Sequence, residues 1–514
     1  MAIREVVDFP VLPKTRSGFT RWDMLRTVIC PLILLVLAVF LASCGRSGGS
    51  ITTAPVPSIL NINSSTTPSS PVGLPIEING SGFQSSPGKV VFTQNSITAT
   101  VVPSSSAWTD TGMVVTVPRG NGTSNFTVPG TASVTVVTSG GTSNAVTLNL
   151  IPMLTFDVNN VTWAQTTALP VALTGLRAAV VPGANSTSAF VVLTGGYDGT
   201  SNQTSVFSNT LNSDGTVGGS WVSITTSPLP ITLAHHVMVE ADPTNSLVSV
   251  NSRFVYVIGG QQNSTDAPGG LTSVYQASVD PTTGVVGTWT QLTNSSLLES
   301  LVGPAAAIFN GQIYVVGGLR TDGTPSPDVF SGPVNSDGSL GTWTKQTNAY
   351  PTGVSFATAF GFGGKLYVID GDSGSSTDPN AQGSVGTNAV NFASAIRGTV
   401  GTWTATATTI KSRKKHITWT AFGQVIAAEG IYAGLPGSLE LERTVVNPDS
   451  TLASWNGITA NTNQIGANVY NATAFVSPLL SPTSTPRFLL LGGQAFTMTP
   501  PGALSNKVYY NNAP

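Results

Sequence analysis

Apolar residues along this chain come in short bursts that end on glycine. Val191-Val-Leu-Thr-Gly195-Gly196, Val255-Tyr-Val-Ile-Gly259-Gly260 and Ile313-Tyr-Val-Val-Gly317-Gly318 set the pattern. Leu366-Tyr-Val-Ile-Asp370-Gly371, Val425-Ile-Ala-Ala-Glu429-Gly430 and Leu489-Leu-Leu-Gly492-Gly493 repeat it with changes. Short β-branched and aromatic runs bounded by glycine read as buried strands. A second series, Trp163, Trp221, Trp289, Trp343, Trp403 and Trp455, interleaves with the first, so that each tryptophan is followed by one glycine pair. The tetrapeptide Gly-Thr-Trp-Thr itself stands at 287–290, 341–344 and 401–404. Self-similarity at roughly 50 residues predicts a ring of stacked sheets, because one such unit cannot bury both its faces alone.

Turn chemistry agrees with strands. Asn212-Ser-Asp-Gly215, Asp280-Pro-Thr-Thr-Gly284, Asn335-Ser-Asp-Gly338 and Asn447-Pro-Asp-Ser450 precede four of the tryptophans. Asp-Gly supplies the positive φ of a tight hairpin, and none of these stretches carries the spaced oxygen ligands of a calcium loop. The strand at 153–165 has no inner partner before it, and Lys507–Tyr510 has the pattern of a third strand without a fourth. Pairing the two would complete one sheet, close the ring over 151–514 and leave no open edge, which gives six blades. In this reading the tryptophans and Gly196, Gly260, Gly318, Gly371, Gly430 and Gly493 are structural.

The strand ending in Gly-Gly with a later Trp resembles the kelch repeat over the whole of 151–514, although Asp370 and Glu429 replace the first glycine in two units. Upstream, 55–150 holds Gly80-Ser-Gly-Phe83, Val115-Thr-Val-Pro118 and Ser139-Gly-Gly-Thr-Ser-Asn144 in that order. These stretches resemble the IPT/TIG domain, an immunoglobulin-like sandwich in which Phe83 would fill the core. The fold class is therefore all-β: a six-bladed kelch-like propeller preceded by an immunoglobulin-like IPT/TIG sandwich.

The N-terminus adds an address. Pro31–Ala42 is an apolar run too short to span a bilayer but suited to a secretory signal. Leu41-Ala42-Ser43-Cys44 resembles the lipobox of bacterial lipoproteins, which implies a signal over 1–43 with Met24 as a plausible start. By that resemblance Cys44 is lipidated, 44–54 is a flexible tether, and the protein sits in the cell envelope, at the outer membrane where the host has two. The only other cysteine, Cys30, leaves with the signal, so the mature chain has no disulfide or thiolate metal site.

Composition narrows the chemistry. Only 9% of the 514 residues are charged, and the net charge of −2 gives no reason to expect nucleic acid. With three histidines, no metal site or cofactor is expected; His235 and His236, read as strand neighbours, would point to opposite faces. Candidate ligand contacts lie at one mouth of the ring. Inner-strand starts offer Arg177, His236, Pro304, Phe356, His416 and Tyr470, and loops after the glycine pairs offer Asp198, Gln261, Arg320, Asp372, Tyr432 and Gln494. Of these, Arg177, Asp198, His236, Arg320, Asp372, His416 and Tyr432 form the candidate binding set for a glycan or a protein; the alternative is that they plug the channel. Lys411-Ser-Arg-Lys-Lys415 reads as a solvated loop on that face, or as a means of steering an anionic ligand.

Two other readings stay open. Kelch propellers include sugar-active enzymes, among them galactose oxidase and a sialic-acid mutarotase. The mature propeller lacks the cysteine an oxidase crosslink needs, whereas mutarotase-like acid–base chemistry could draw on Arg177, His236, Glu240 or His416. The remaining reading is a purely structural or adhesive component. The expected function is a non-catalytic, membrane-anchored binding protein.

Overall fold

The computed structural model describes residues 54–63, 68–152, 161–184, 187–241, 253–264, 268–309, 311–335, 337–378, 386–421, 423–431, 441–457, 469–478, 487–495 and 502–512. The expected signal, Cys44, most of the expected tether, residues 153–160 of the expected closing strand, and Tyr432 lie outside them. Among the described residues the ordered elements are strands and two single-turn helices, and no helix is long and apolar enough to cross a membrane. Residues 54–514 form one compact unit.

Its first part is a pair of sheets. Ser58–Ile62, Pro75–Ser81 and Gly112–Thr116 make a three-stranded antiparallel sheet. The second sheet runs in the order Ser69–Pro71, Val146–Ile151, Gly130–Thr138, Lys89–Gln94 and Ile97–Val101, with the first pair parallel. Alternating positions such as Val90, Phe92, Val134 and Val136 turn inward to one shared core, in which Phe83 is fully buried beside the tilted ring of Trp108.

Among the described residues the second part holds six four-stranded antiparallel sheets, one of which carries an extra two-residue strand, together with a short pairing of Val469–Tyr470 with Gln494–Ala495. Five are chain-order meanders. Their first strands are Arg177–Pro182, Val237–Ala241, Ala305–Phe309, Thr358–Phe362 and Ile417–Ala421. The sixth is composite: Thr473–Val476, Phe488–Leu491 and Val508–Asn512 are completed by Thr162–Gln165 from the other end of the segment. Trp163 is paired with Asn511, and Ala164 with Tyr510. The first strands touch in succession, and Thr473–Val476 returns to touch Arg177–Pro182. Second strands are covered on both faces, which explains their unbroken apolar writing: all six residues of Ala189–Thr194 are buried.

The glycine pairs have a conformational cause. The first member sits at φ of 58° to 67°, the left-handed region, and the second at 89° to 108°. Asp370 (φ 53°) and Glu429 (φ 61°) occupy the first position at some strain, whereas every second position is glycine, since only glycine tolerates the wider angle. Four of the repeat tryptophans share one hydrogen bond. The indole Nε1 of Trp221, Trp343, Trp403 and Trp455 donates to the carbonyl of Thr167, Ser295, Asn348 and Ala407 respectively, at 2.8–3.2 Å. Each acceptor lies just past the outermost strand of the preceding sheet, so each indole bridges two sheets. The four hairpin turns close on their own aspartates; Asp214 Oδ1, for example, accepts from the Thr216 amide and hydroxyl.

The two parts are docked. Gly363 and Gly364 lie against Pro75 and Val114, and Gly423 against Leu74, with no space for a Cβ. These turns join first to second strands in the fourth and fifth sheets, at the end of the ring opposite the glycine pairs.

Candidate functional site

Immediately before each first strand the chain takes a left-handed residue: Gly175, His235, Gly303, Phe356, Lys415 and Asn471. Their backbones bond one to the next. The amide of His235 donates to Gly175, Gly303 to His235, Phe356 to Gly303, Lys415 to Phe356, Asn471 to Lys415, and Gly175 back to Asn471, all at 2.7–3.0 Å. Six peptide groups from six sheets thus form one closed hydrogen-bonded circuit. Glycine at two of the six stations makes room for the neighbour's ring: a Cβ on Gly175 would meet the His235 imidazole at 2.9 Å, and one on Gly303 would clash with the Phe356 ring. His235 then packs edge-on to Phe356 at 5.7 Å, and Lys415 Nζ lies 4.9 Å from the Phe356 ring centre and 5.8 Å from that of Tyr470. His235, Phe356, Lys415 and Asn471 are all buried, so protein fills this end of the ring.

From the circuit, a cavity of about 220 Å³ extends along the first strands. A third of its lining is alanine, from Ala178, Ala305 and Ala306 to Ala472 and Ala474, which keeps the first strands slim enough to leave a void. Its polar lining is Arg177, Lys415, His416, Asn471, Thr358, Thr418, Thr420 and Thr473; among the described residues no aspartate or glutamate lines it. The Arg177 guanidinium donates to the Leu176 carbonyl at 2.8 Å, and burial lowers its pKa only to about 10, so it stays cationic. Burial pushes Lys415 down to about 7, reinforced by Lys414 and opposed by Asp378 and Asp372. His416 falls to about 3 through burial and then Arg413, which leaves a neutral imidazole with Nε2 3.0 Å from the Thr358 hydroxyl. Asn471 has neither amide atom hydrogen-bonded although both are buried.

The sequence-derived set is only partly brought together. Arg177 and His416 line the cavity. His236 does not: its Nε2 lies 2.8 Å from the Thr194 hydroxyl in the seam beside Gly260 and, with burial dominating over Arg177 and His235, it is neutral. Neither His235 nor His236 is in a strand, since the strand begins at Val237, so the strand-alternation reading of that pair is corrected. Asp198 closes its own turn, accepting from the Thr200 and Ser201 amides and from Gln203 Nε2, each at 2.8 Å. Arg320 is held by Glu299 at 2.5 Å and Asp328 at 3.5 Å, away from the axis. The inner-strand candidates also mix registers: Arg177 lies two residues after its left-handed station, His236 and His416 one, Phe356 on it, and Tyr470 one before.

The basic run needs the firmest correction. It is not a solvated loop, because Arg413, Lys414 and Lys415 are all buried. Arg413 pairs with Glu442 at 2.6 Å, and Lys414 with Asp372 at 2.6 Å. Asp372 is thereby committed to an ion pair. The partners stand 29 and 42 residues from their cations, so no local charge pattern announced them.

Glu429 shares this seam. Its Oε2 accepts the Val469 amide at 2.9 Å, Oε1 is buried without a partner, and burial raises its pKa to about 8 against the pull of that bond and Arg413. With the folded value above the unfolded one near 4.5, the native state binds the proton the unfolded chain has released. The stability from Glu429 is therefore full below about pH 4.5 and is lost as pH rises through about 8. Glu429→Gln should remove that loss: the urea midpoints of wild type and variant should coincide near pH 4.5 and separate, with the variant higher, by pH 8.

Two comparisons bear on the class. A family model described as the DUF6242 beta propeller domain matches residues 286–439, less than a third of the chain and within the ring of sheets. No curated protein matches the chain. The ring segment is a β-propeller, in an all-β chain.

Proposed function

We propose that this is a binding propeller of the cell envelope whose axial cavity takes a small acidic ligand, such as a sugar acid. In this reading the six sheets are the blades of one kelch-type propeller, and the docked pair of sheets is an IPT/TIG immunoglobulin-like domain. Lipid on Cys44 tethers the whole. The single observation that carries the ligand class is the cavity lining: Arg177 and Lys415 contribute positive charge, threonines and Asn471 contribute hydrogen bonds, and among the described residues no carboxylate lines the cavity to compete for them. The half-buried Arg177 guanidinium is an anchor for a carboxylate through charge-assisted hydrogen bonds. The non-catalytic reading is supported by His416, which is held neutral and has no acidic partner in the cavity to form an acid–base pair.

Calorimetric titration of the full chain with glucuronate and with glucose tests this. Binding should favour the acid, and Arg177→Gln should weaken it by about 10- to 100-fold, the value of one charge-assisted hydrogen-bonded contact. Equal affinity for the two sugars, or an unchanged Arg177→Gln variant, would sink the acidic-ligand reading. The anchor reading fails separately if the mature N-terminus carries no acyl mass.

A further inference from the structure

Lys415 is a peculiar residue to find in an anion pocket. It occupies a strained left-handed station, its side chain is buried between two aromatic rings, and it lines the same cavity as Arg177, His416 and Asn471. A purely electrostatic role would be served by a hydrated or arginine side chain. Resting on the acidic-ligand reading above, we propose that Lys415 is a covalent anchor: its ε-amine condenses with the carbonyl of a small 2-oxo acid while Arg177 holds the carboxylate and Asn471 offers its free amide to the carbonyl oxygen.

Among the described residues, the charged and titratable groups around Lys415 include Lys414, Asp372 and Asp378, Tyr470 with its ring centre at 5.8 Å, the adjacent His416, and Arg177 on the lining of the same cavity. Burial and Lys414 outweigh the two aspartates, so with a pKa of about 7 a large share of the side chain is the neutral amine at neutral pH. The nitrogen lone pair attacks the carbonyl carbon and forms the C–N bond. The carbonyl π pair moves onto oxygen, which takes up the proton that nitrogen sheds, giving a carbinolamine. The nitrogen pair then expels the hydroxyl, which leaves as water with a proton from solvent. Amine, carbonyl and one proton become an iminium ion and one water, with no oxidant or reductant.

The experiment treats the full chain with pyruvate and sodium borohydride and maps the reduced adduct by peptide mass spectrometry. Labelling should concentrate at Lys415, at least about tenfold over any other lysine, with a pH midpoint near 7 instead of the ordinary lysine value of about 10.4. Lys415→Arg should abolish it, and Arg177→Gln should reduce it about tenfold. Labelling spread over surface lysines, or rising only near pH 10, overturns the proposal; the pH profile is read on wild type, so it stands even where a variant fails to fold. Lactate, which lacks the carbonyl, separates the two readings. Lactate binding without a pyruvate adduct leaves the acidic-ligand reading and removes the covalent step. Equal labelling by acetone and pyruvate keeps the covalent lysine and removes the preference for acids.

Discussion

Arg413→Met should cost about 3–5 kcal/mol of stability, the range for removing one partner of a buried ion pair. The reason lies in what stays behind. Glu442 is 1% exposed, and its carboxylate is fixed by three donors: the Ile410 amide at 2.5 Å, the Lys411 amide at 2.9 Å and Arg413 at 2.6 Å. Without Arg413 that buried charge loses its ion-pair partner among the described residues. Arg413 also donates to the Glu429 carbonyl at 3.1 Å, so the same change loosens a strained station of the fifth sheet. The double variant Arg413→Met/Glu442→Gln separates charge from packing. Glutamine keeps an acceptor for one of the two amides, which bond different oxygens of Glu442, while removing the stranded charge, so the double variant should recover part of the loss. Urea midpoints of the three proteins read this out. A double variant no more stable than Arg413→Met would show that the cost comes from lost arginine packing.

The seam between the fourth and fifth sheets shows how far the sequence could be read. The glycine pairs and tryptophans are local signals, because a φ near 100° and an indole wedge each demand one residue type, and they recur wherever the geometry does. Asp370 and Glu429 look like lapses in that pattern. In the structure they sit over a buried cation: Thr409 donates its hydroxyl to Asp370 at 2.6 Å, burial holds that carboxyl well above its usual range, and Arg413 lies close to both. A degenerate repeat and a basic run were thus two halves of one buried cluster, joined by contacts that no periodicity encodes.

The candidate site was legible in a similarly partial way. That polar side chains would gather where the first strands begin follows from the topology, and Arg177 and His416 line the cavity there. The six stations of the hydrogen-bonded circuit carry Gly, His, Gly, Phe, Lys and Asn, which share only a backbone conformation. With no common side chain, nothing in the sequence fixes their register. Register alone does not settle the outcome either: His236 and His416 both stand one position past their stations, yet His236 faces Thr194 while His416 lines the cavity. Lys415 was hidden for a different reason, since a lysine among basic neighbours suggests solvent until the rings of Phe356 and Tyr470 are placed beside it.

Trp419 lies outside the repeat pattern, yet its truncation tests how the ring is closed. It is 1% exposed on the first strand of the fifth sheet. Its indole donates to the Leu489 carbonyl of the sixth sheet at 2.9 Å, stacks on Trp163 at 5.6 Å and leans on Phe488 at 5.8 Å. Trp163 belongs to the strand that enters the sixth sheet from the far end of the segment, so one side chain touches both strand sources of the composite sheet. Trp419→Ala should therefore cost about 3–5 kcal/mol, the range for a large core aromatic. The loss should also be localised. Hydrogen exchange should quicken first at the amides of Thr162–Gln165 and Val508–Asn512, because the composite sheet is the one place where the ring opens by parting strands that are not consecutive in the chain. Protection lost equally across all six sheets would mean that closure is no weaker than any other seam, and that the two ends are held by their own pairing without the help of Trp419.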